Sequence, residues 1–289
     1  MVWLNAVVQG LLLGGLYALL ASGLSLMFGV MRIVNLAHGA LAVLAAYLGL
    51  VIIESTGAST FVAILAVVPI MAALGYVLQR GIFNRALSQG GLAPLLAAFG
   101  LSVVITQLLQ LRFTADSQTL PTGDLSVRSI RVFGDVSIGV LPLITFLAGI
   151  VVIAGLQTFI AKAPLGRAMR AASDDAETVK LMGIDNRQVY ALSTAIALGT
   201  VGLAGMFLGM RGNFDPYYGG AMLIFAFEAV IIGGLGSLWG TLAGGMVLGV
   251  SQAIGSQINP SYGVLIGHLV FLAVLAFRPS GLLPKAVTA

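Results

Sequence analysis

Residues 229–277 read AVIIGGLGSLWGTLAGGMVLGVSQAIGSQINPSYGVLIGHLVFLAVLAF and contain no Asp, Glu, Lys or Arg. Further uncharged windows cover residues 1–31, 33–53, 55–79, 86–111, 136–161 and 188–210. A helical crossing of a bilayer needs roughly 20 apolar residues, and every one of these windows is long enough. Because a soluble fold keeps a charged exterior, the pattern predicts an all-α fold, a polytopic transmembrane helical bundle.

The composition agrees with a membrane protein. The chain is 59% hydrophobic and 8% charged, whereas about a quarter of the residues in soluble proteins are charged. It has no cysteine, which excludes a disulfide framework and a cysteine metal site. We expect no metal or cofactor. We also expect no nucleic-acid partner, since the net charge of +4 comes from basic residues in the connections between windows.

These connections predict how the chain is oriented. Arg80 and Arg85 lie in a connection without acidic residues, and residues 162–187 are also rich in Lys and Arg, so both should be cytoplasmic. Residues 112–135 balance Arg against Asp and are predicted to form an external loop. We expect one transmembrane domain over residues 1–289, with an external N-terminus and a cytoplasmic C-terminus.

The number of spans depends on the last part of the chain. Residues 216–277 have room for three short crossings, and the glycine-rich run 233–240 predicts a broken helix between the first two. We therefore expect about eight spans in total.

Many of the 38 glycines are spaced four residues apart. The pairs and series are Gly10/Gly14, Gly205/Gly209, Gly236/Gly240/Gly244 and Gly245/Gly249. Small residues at this spacing let membrane helices approach closely. The pattern is typical of packing within one bundle, and it also fits an interface between two copies of the chain.

Three polar residues lie in or beside the apolar windows. Asn35, His38 and Glu228 are predicted to line a solute path or gate, together with the glycines at the helix break, Gly233 and Gly234. For Asn35 and His38 the alternative is a helix cap or an interhelical hydrogen bond. Glu228 has a second interpretation as the partner of Arg211 or Arg32, whereas His268 is interpreted as a packing residue.

The sequence lacks the motifs of several enzyme and transport-protein classes. The chain has no G-x-x-x-x-G-K-[ST], H-E-x-x-H or G-x-S-x-G sequence. It also has no arginine-rich span of the voltage-sensor kind. The sequence therefore argues against an enzyme and against a nucleotide-hydrolysing P-loop in this chain.

Residues 162–187 have the pattern of one or two short amphipathic helices. Pro164 suits a helix start and Gly183 a helix end, and apolar residues recur between them. A cytoplasmic partner could bind such a face as a helix in a groove.

Long stretches of the chain resemble the permease subunits of bacterial ABC importers for branched-chain amino acids. They include residues 10–48 with the N-L-A-H-G block, residues 164–209, residues 225–249 with G-G-L-G-S-x-x-G, and the final RPSGLLP. The similarity is greatest to the shorter of the two permeases that normally occur together. One departure is Ala171-Ala172-Ser173, where the broader importer motif has Glu-Ala-Ala.

The resemblance implies a multi-pass protein of the bacterial inner membrane. Its partners would be a second homologous permease, two cytoplasmic ATP-binding subunits and an external amino-acid-binding protein. The 162–187 segment would then be the element that couples to the ATPase. Its expected coupling residues are Leu165, Gly166, Arg167, Met169, Arg170, Asp174, Glu177, Leu181 and Gly183.

Two questions stay open on the sequence. The alternative class is a secondary transporter driven by an ion gradient, which would also show broken helices and lone carboxylates. Within the importer class the substrate is open, since related permeases serve urea and short amides as well as amino acids.

Overall fold

The computed structural model describes residues 2–133 and 136–283, and helices dominate this part of the chain. The helices are α1 Val2–Met31, α2 His38–Thr56, α3 Thr60–Leu78, α4 Asn84–Leu87, α5 Ala93–Phe113, α6 Val140–Lys162, α7 Pro164–Asp174, α8 Ala176–Leu181, α9 Asn186–Arg211, α10 Gly219–Gly233, α11 Leu238–Ile258 and α12 Tyr262–Phe277. A π-helical turn, Gln79–Phe83, joins α3 to α4 in one continuous run.

The helical membrane fold is confirmed. Within the described residues, seven helical runs are long and apolar enough to cross a bilayer, the α3–α4 run Thr60–Leu87 among them. The apolar helices α10 and α12 are shorter. The predicted helix break also occurs, because α10 ends at Gly233 and α11 begins at Leu238.

Glycine and proline mark several helix ends. Gly57 adopts a left-handed φ of 68° after α2, and its amide donates to the carbonyl of Ile53 at 2.9 Å. Pro94 lies in the first turn of α5. Backbone N–H groups in this turn make no hydrogen bond within the helix, so a proline there costs none.

A small β-hairpin precedes α6. Strands β1 (Ser129–Phe133) and β2 (Val136–Gly139) pair antiparallel, with Ser129 opposite Gly139. The two residues between the strands lie outside the described part. The sequence had placed residues 136–139 in a membrane window, since an uncharged strand and an uncharged helix cannot be distinguished by the absence of charge.

The chain divides into two compact units. The first comprises Met1–Ser25, Pro121–Ile153 and Ile224–Ala289, and within it α1 packs against α11 through glycine. A Cβ added to Gly14 would lie 2.5 Å from the carbonyl oxygen of Gly245, and one added to Gly10 would lie 2.6 Å from the Cα of Val250. The Gly10/Gly14 and Gly245/Gly249 pairs therefore serve packing inside one chain.

The second unit comprises Leu26–Leu120 and Ala154–Leu223. Its centre is α9, which packs against α2 and α3. A Cβ on Gly75 would lie 2.6 Å from the carbonyl oxygen of Thr194, so the backbones of α3 and α9 are in close contact. The ring of Tyr47 stacks on Phe113 with centroids 4.4 Å apart and meets the edge of Phe214 at 5.0 Å.

Candidate translocation and coupling residues

Glu228 and His268 form a hydrogen-bonded pair in the first unit. Glu228 lies on α10 with its side chain buried, and its Oε1 atom is 2.5 Å from Nδ1 of His268 on α12. The sequence had suggested Arg211 or Arg32 for Glu228 and a packing role for His268. The two residues are 40 positions apart, so no local spacing indicates the pair.

More polar and aromatic side chains surround this pair. The ring of Phe225 stacks on His268 with centroids 6.1 Å apart and contacts Tyr17 at 5.1 Å. The Tyr17 hydroxyl donates a 2.6 Å hydrogen bond to Oε1 of Gln252 on α11. We call Tyr17, Phe225, Glu228, Gln252 and His268 the polar cluster. Sequence reasoning missed Tyr17 and Gln252, because neither carries a charge.

Gln252 packs against α12 at Gly267, the residue before His268 in the chain. Its side chain lies across Gly267, where an added Cβ would be 2.8 Å from Cγ and 3.1 Å from Nε2 of Gln252. Gly267 thus leaves room for the Gln252 side chain against α12.

The break after α10 contains glycines, and the backbone carbonyl at the end of the helix has a hydrogen-bond partner in another part of the chain. Gly234 and Gly236 have φ values of 109° and 77°, a region that other residues avoid. The carbonyl of Gly233 accepts a 2.9 Å hydrogen bond from the amide of Leu283, so the end of α10 keeps a partner. Ser237 then caps α11 by accepting from the amide of Gly240 at 3.1 Å.

Asn35 and His38 are fully buried in the second unit, whereas Glu228, Gly233 and Gly234 belong to the first. The Oδ1 atom of Asn35 accepts a 3.0 Å hydrogen bond from the amide of Ala37. Its backbone carbonyl accepts from the amide of His38 at 3.1 Å. These bonds form the turn that leads into α2, whose N-cap is Ala37, and they favour a turn-forming role for Asn35.

The 162–187 segment forms the two short helices that its pattern predicts. Pro164 begins α7, and Gly183 follows α8 with a φ of 81°. Gly166 lies directly on the end of α6, where an added Cβ would be 2.6 Å from the Cα of Ile160. The helix therefore folds back closely onto the chain that precedes it.

The apolar residues of this segment fall into two groups. Met169 is fully buried, and Ala172 and Val179 are also buried, because α7 and α8 pack against α9. Leu181 and Met182 are instead 89% and 74% exposed. Met169 differs here from the expectation that its side chain would be presented to a partner.

The charged residues near α7 have local roles. Arg167 donates to the carbonyl of Lys162 at 2.9 Å and Arg170 to that of Ala161 at 3.4 Å, so both place positive charge at the C-terminus of α6. Asp174 is exposed, as is the 2.7 Å ion pair of Glu177 with Lys180.

Asp175 separates α7 from α8. Its carboxylate accepts from the Thr178 hydroxyl at 2.5 Å and from the amides of Thr178 and Glu177. These bonds to the charged form, led by the hydroxyl of Thr178, lower the pKa of Asp175. Asp175 is thus an ionised N-cap for α8.

Ser173 links α7 to the end of α1. Its hydroxyl donates a 2.7 Å hydrogen bond to the carbonyl of Gly29, and its own carbonyl accepts from Nη2 of Arg32 at 3.4 Å. Arg32 begins the non-helical stretch that leads to Asn35, with a left-handed φ of 54°. The serine that departs from the broader importer motif is therefore the contact between α7 and this stretch.

Comparison with known proteins identifies the family. The family model described as the branched-chain amino acid transport system permease component matches residues 6–275. This chain belongs to that family. The match confirms the resemblance drawn from the N-L-A-H-G and G-G-L-G-S-x-x-G blocks, and it makes the protein a multi-pass transport permease subunit.

Individual relatives agree. The chain is 30% identical to the high-affinity branched-chain amino acid transport system permease protein BraD of Pseudomonas aeruginosa, covering 98% of this chain and 96% of that protein. It is 28% identical to LivH of Escherichia coli, with the same shares covered. LivM of Escherichia coli matches at 29% identity over 42% of this permease and 29% of its own length.

A solved structure has the same fold. PsaBC from Streptococcus pneumoniae, determined in complex with a Fab, superimposes with a TM-score of 0.51 and 15% sequence identity. The match covers 94% of this permease and 91% of that chain.

Proposed function

We propose that this permease is the shorter transmembrane subunit of an ATP-driven importer in the bacterial inner membrane. It would move branched-chain or similar hydrophobic amino acids from the periplasm to the cytoplasm. The observation that carries this proposal is the similarity to BraD and LivH over nearly the whole chain. The partial similarity to LivM supports a second, homologous permease as the partner in the membrane.

The exposed end of α8 supports a separate ATPase. Leu181 and Met182 are large apolar side chains in water-exposed positions beside the Glu177–Lys180 ion pair. An apolar anchor rimmed by charges is typical of a helix that docks into a groove on another protein. In our proposal the ATPase moves this exposed end of α8. Helix α7 then transmits the motion through Ser173 to the part of the chain that contains Asn35 and His38.

An external binding protein would deliver the amino acid to the opposite face, at the 112–135 loop, which includes the first strand of the hairpin. Asn35, His38, Glu228, Gly233 and Gly234 remain our proposed path or gate residues. Buried ionisable groups in membrane helices usually face a bundle interior or a cavity, which supports this role for Glu228.

Reconstitution tests the proposal. The permease would be placed in liposomes with the longer permease, the ATPase subunits and the binding protein of the proposed complex, and radiolabelled leucine uptake would be followed with and without ATP. We expect uptake only when all components and ATP are present. Uptake by the permease alone, driven by a proton or sodium gradient, would establish a secondary transporter instead. Uptake of urea or acetamide but not leucine would retain the importer class and replace the substrate.

A further inference from the structure

We propose that the polar cluster of Tyr17, Phe225, Glu228, Gln252 and His268 binds the charged head of a zwitterionic amino acid inside the membrane. This inference rests on the proposed function and assigns its substrate chemistry to particular side chains. All five residues belong to the first compact unit.

The acidic half of the cluster is Glu228. Its Oε1 atom is occupied by His268, but its Oε2 atom is buried and has no hydrogen-bond partner within residues 2–133 and 136–283. A buried carboxylate oxygen without a donor is unfavourable, so native proteins keep one mainly where function requires it. An ammonium group, which is positively charged and carries three donors, satisfies this oxygen.

The donor half of the cluster is Gln252. Its Oε1 atom accepts from the Tyr17 hydroxyl, whereas its Nε2 atom is buried and unpartnered in the described part of the chain. An amide NH₂ group only donates, so the free end of Gln252 requires an acceptor, and the carboxylate of an amino acid, which only accepts, supplies one.

The two halves are physically connected. Phe225 contacts Tyr17 on one side and His268 on the other, while Gln252 lies across the glycine that precedes His268. The unmet acceptor and the unmet donor therefore belong to one contiguous group, lined by aromatic surface that suits an apolar side chain.

The position of the cluster fits a transport site. Its members lie in the interiors of α1, α10, α11 and α12, and α10 breaks at Gly233 shortly after Glu228. Secondary transporters place their substrate sites near the bilayer midplane beside interrupted helices, and we infer the same arrangement here. A zwitterion satisfies both unmet groups at once and its ammonium balances the charge of the Glu228 carboxylate, whereas an amine or a carboxylate satisfies only one of them. A neutral amide such as urea can hydrogen-bond both groups but leaves the carboxylate charge unbalanced. The charge of Glu228 therefore favours amino acids among the substrates that the family leaves open.

Ligand discrimination tests this inference. The complete transporter would be purified in nanodiscs without the binding protein, and binding of radiolabelled L-leucine would be measured. Two analogues of leucine would compete: 3-methylbutylamine, which lacks the carboxylate, and 4-methylpentanoate, which lacks the ammonium group. Glu228→Gln keeps the shape of the side chain but removes its negative charge. We expect leucine to bind this variant about tenfold more weakly, and 4-methylpentanoate to compete better relative to leucine. Gln252→Glu should weaken leucine by a similar factor and favour 3-methylbutylamine.

The matched control is Ser251→Ala, next to Gln252 on α11, whose hydroxyl bonds only within its helix, to the carbonyl of Val247 at 2.6 Å. It should leave binding and selectivity unchanged. Size-exclusion profiles identify variants that fail to fold. If Glu228→Gln or Gln252→Glu fails, Glu228→Asp or Gln252→Asn replaces it in the comparison of ligand selectivity. A purely structural role would weaken all three ligands alike, and that result overturns the inference. ATP-dependent leucine uptake by the unmodified complex is measured in parallel. Normal uptake by this complex, together with unshifted ligand selectivity in the variants, rejects the polar cluster as the binding site but keeps the proposed function. Absence of uptake by the unmodified complex rejects both.

Discussion

The hydroxyl of Ser173 on α7 donates to the backbone carbonyl of Gly29 near the end of α1, a residue 144 positions earlier in the chain. A carbonyl in the last turn of a helix has no partner within the helix, so this hydrogen bond satisfies an otherwise free acceptor. The same residue accepts from Arg32, and the two bonds together hold α7 against the entrance to α2.

We expect Ser173→Ala to uncouple ATP hydrolysis from transport. The change removes one hydrogen bond, worth about 1 kcal/mol, which is too little to unfold the protein. The transporter should still assemble and hydrolyse ATP, but it should consume more ATP for each leucine imported into proteoliposomes. The control is Ser88→Ala, because the Ser88 hydroxyl bonds only to the nearby carbonyl of Arg85. An unchanged ratio of ATP to leucine in Ser173→Ala would exclude a coupling role.

A second prediction separates two apolar residues of the 162–187 segment. Met169→Asp places a charge in a fully buried site, at a cost of several kcal/mol, and should prevent correct folding. Leu181→Asp alters an exposed residue, so the permease should fold normally and lose its ATPase during affinity purification. Val127→Asp, an exposed apolar change in the loop predicted to be external, should keep the ATPase. Retention of the ATPase by Leu181→Asp would show that α8 is not the docking element.

This contrast also shows where sequence reasoning ends. The windows without charge located the long helices, and Gly233–Gly234, Pro164 and Gly183 marked breaks and ends correctly, because these signals are local. Met169 and Leu181 are both apolar, and only packing against α9 makes one a core residue and leaves the other exposed. Likewise the Glu228–His268 contact joins helices far apart in sequence, so no spacing rule reveals it.

The glycine contacts of α1 predict a third effect. An alanine at Gly14 would bring its Cβ within 2.5 Å of the carbonyl oxygen of Gly245, so α1 and α11 must separate. We expect Gly14→Ala to destabilise the permease by about 1–3 kcal/mol, visible as a lower melting temperature in detergent. Gly155→Ala is the control, since no described atom lies within 4 Å of its added Cβ, and it should be neutral or slightly stabilising. Equal melting temperatures for the two variants would contradict the close packing.

Substitutions at Asn35 can separate its role in the turn before α2 from a role in transport. Asn35→Ala removes the acceptor for the Ala37 amide and should lower both stability and import. Asn35→Ser restores a side-chain acceptor two residues before Ala37 but not the amide group. We expect the serine variant to recover the melting temperature while leucine import remains reduced, as a path residue requires. Recovery of both properties would assign Asn35 to the turn alone.

The predicted orientation can be tested by cysteine labelling, because the chain contains no native cysteine. Val127→Cys and Leu181→Cys place single thiols at positions that are 80% and 89% exposed, so both react readily once reagent reaches them. With a membrane-impermeant maleimide, position 127 should label in spheroplasts, whereas position 181 should label only after the membrane is permeabilised. This follows from the excess of Lys and Arg in residues 162–187, which retains that segment in the cytoplasm. Labelling of position 181 in intact spheroplasts would invert the topology and place α8 out of reach of any cytoplasmic ATPase.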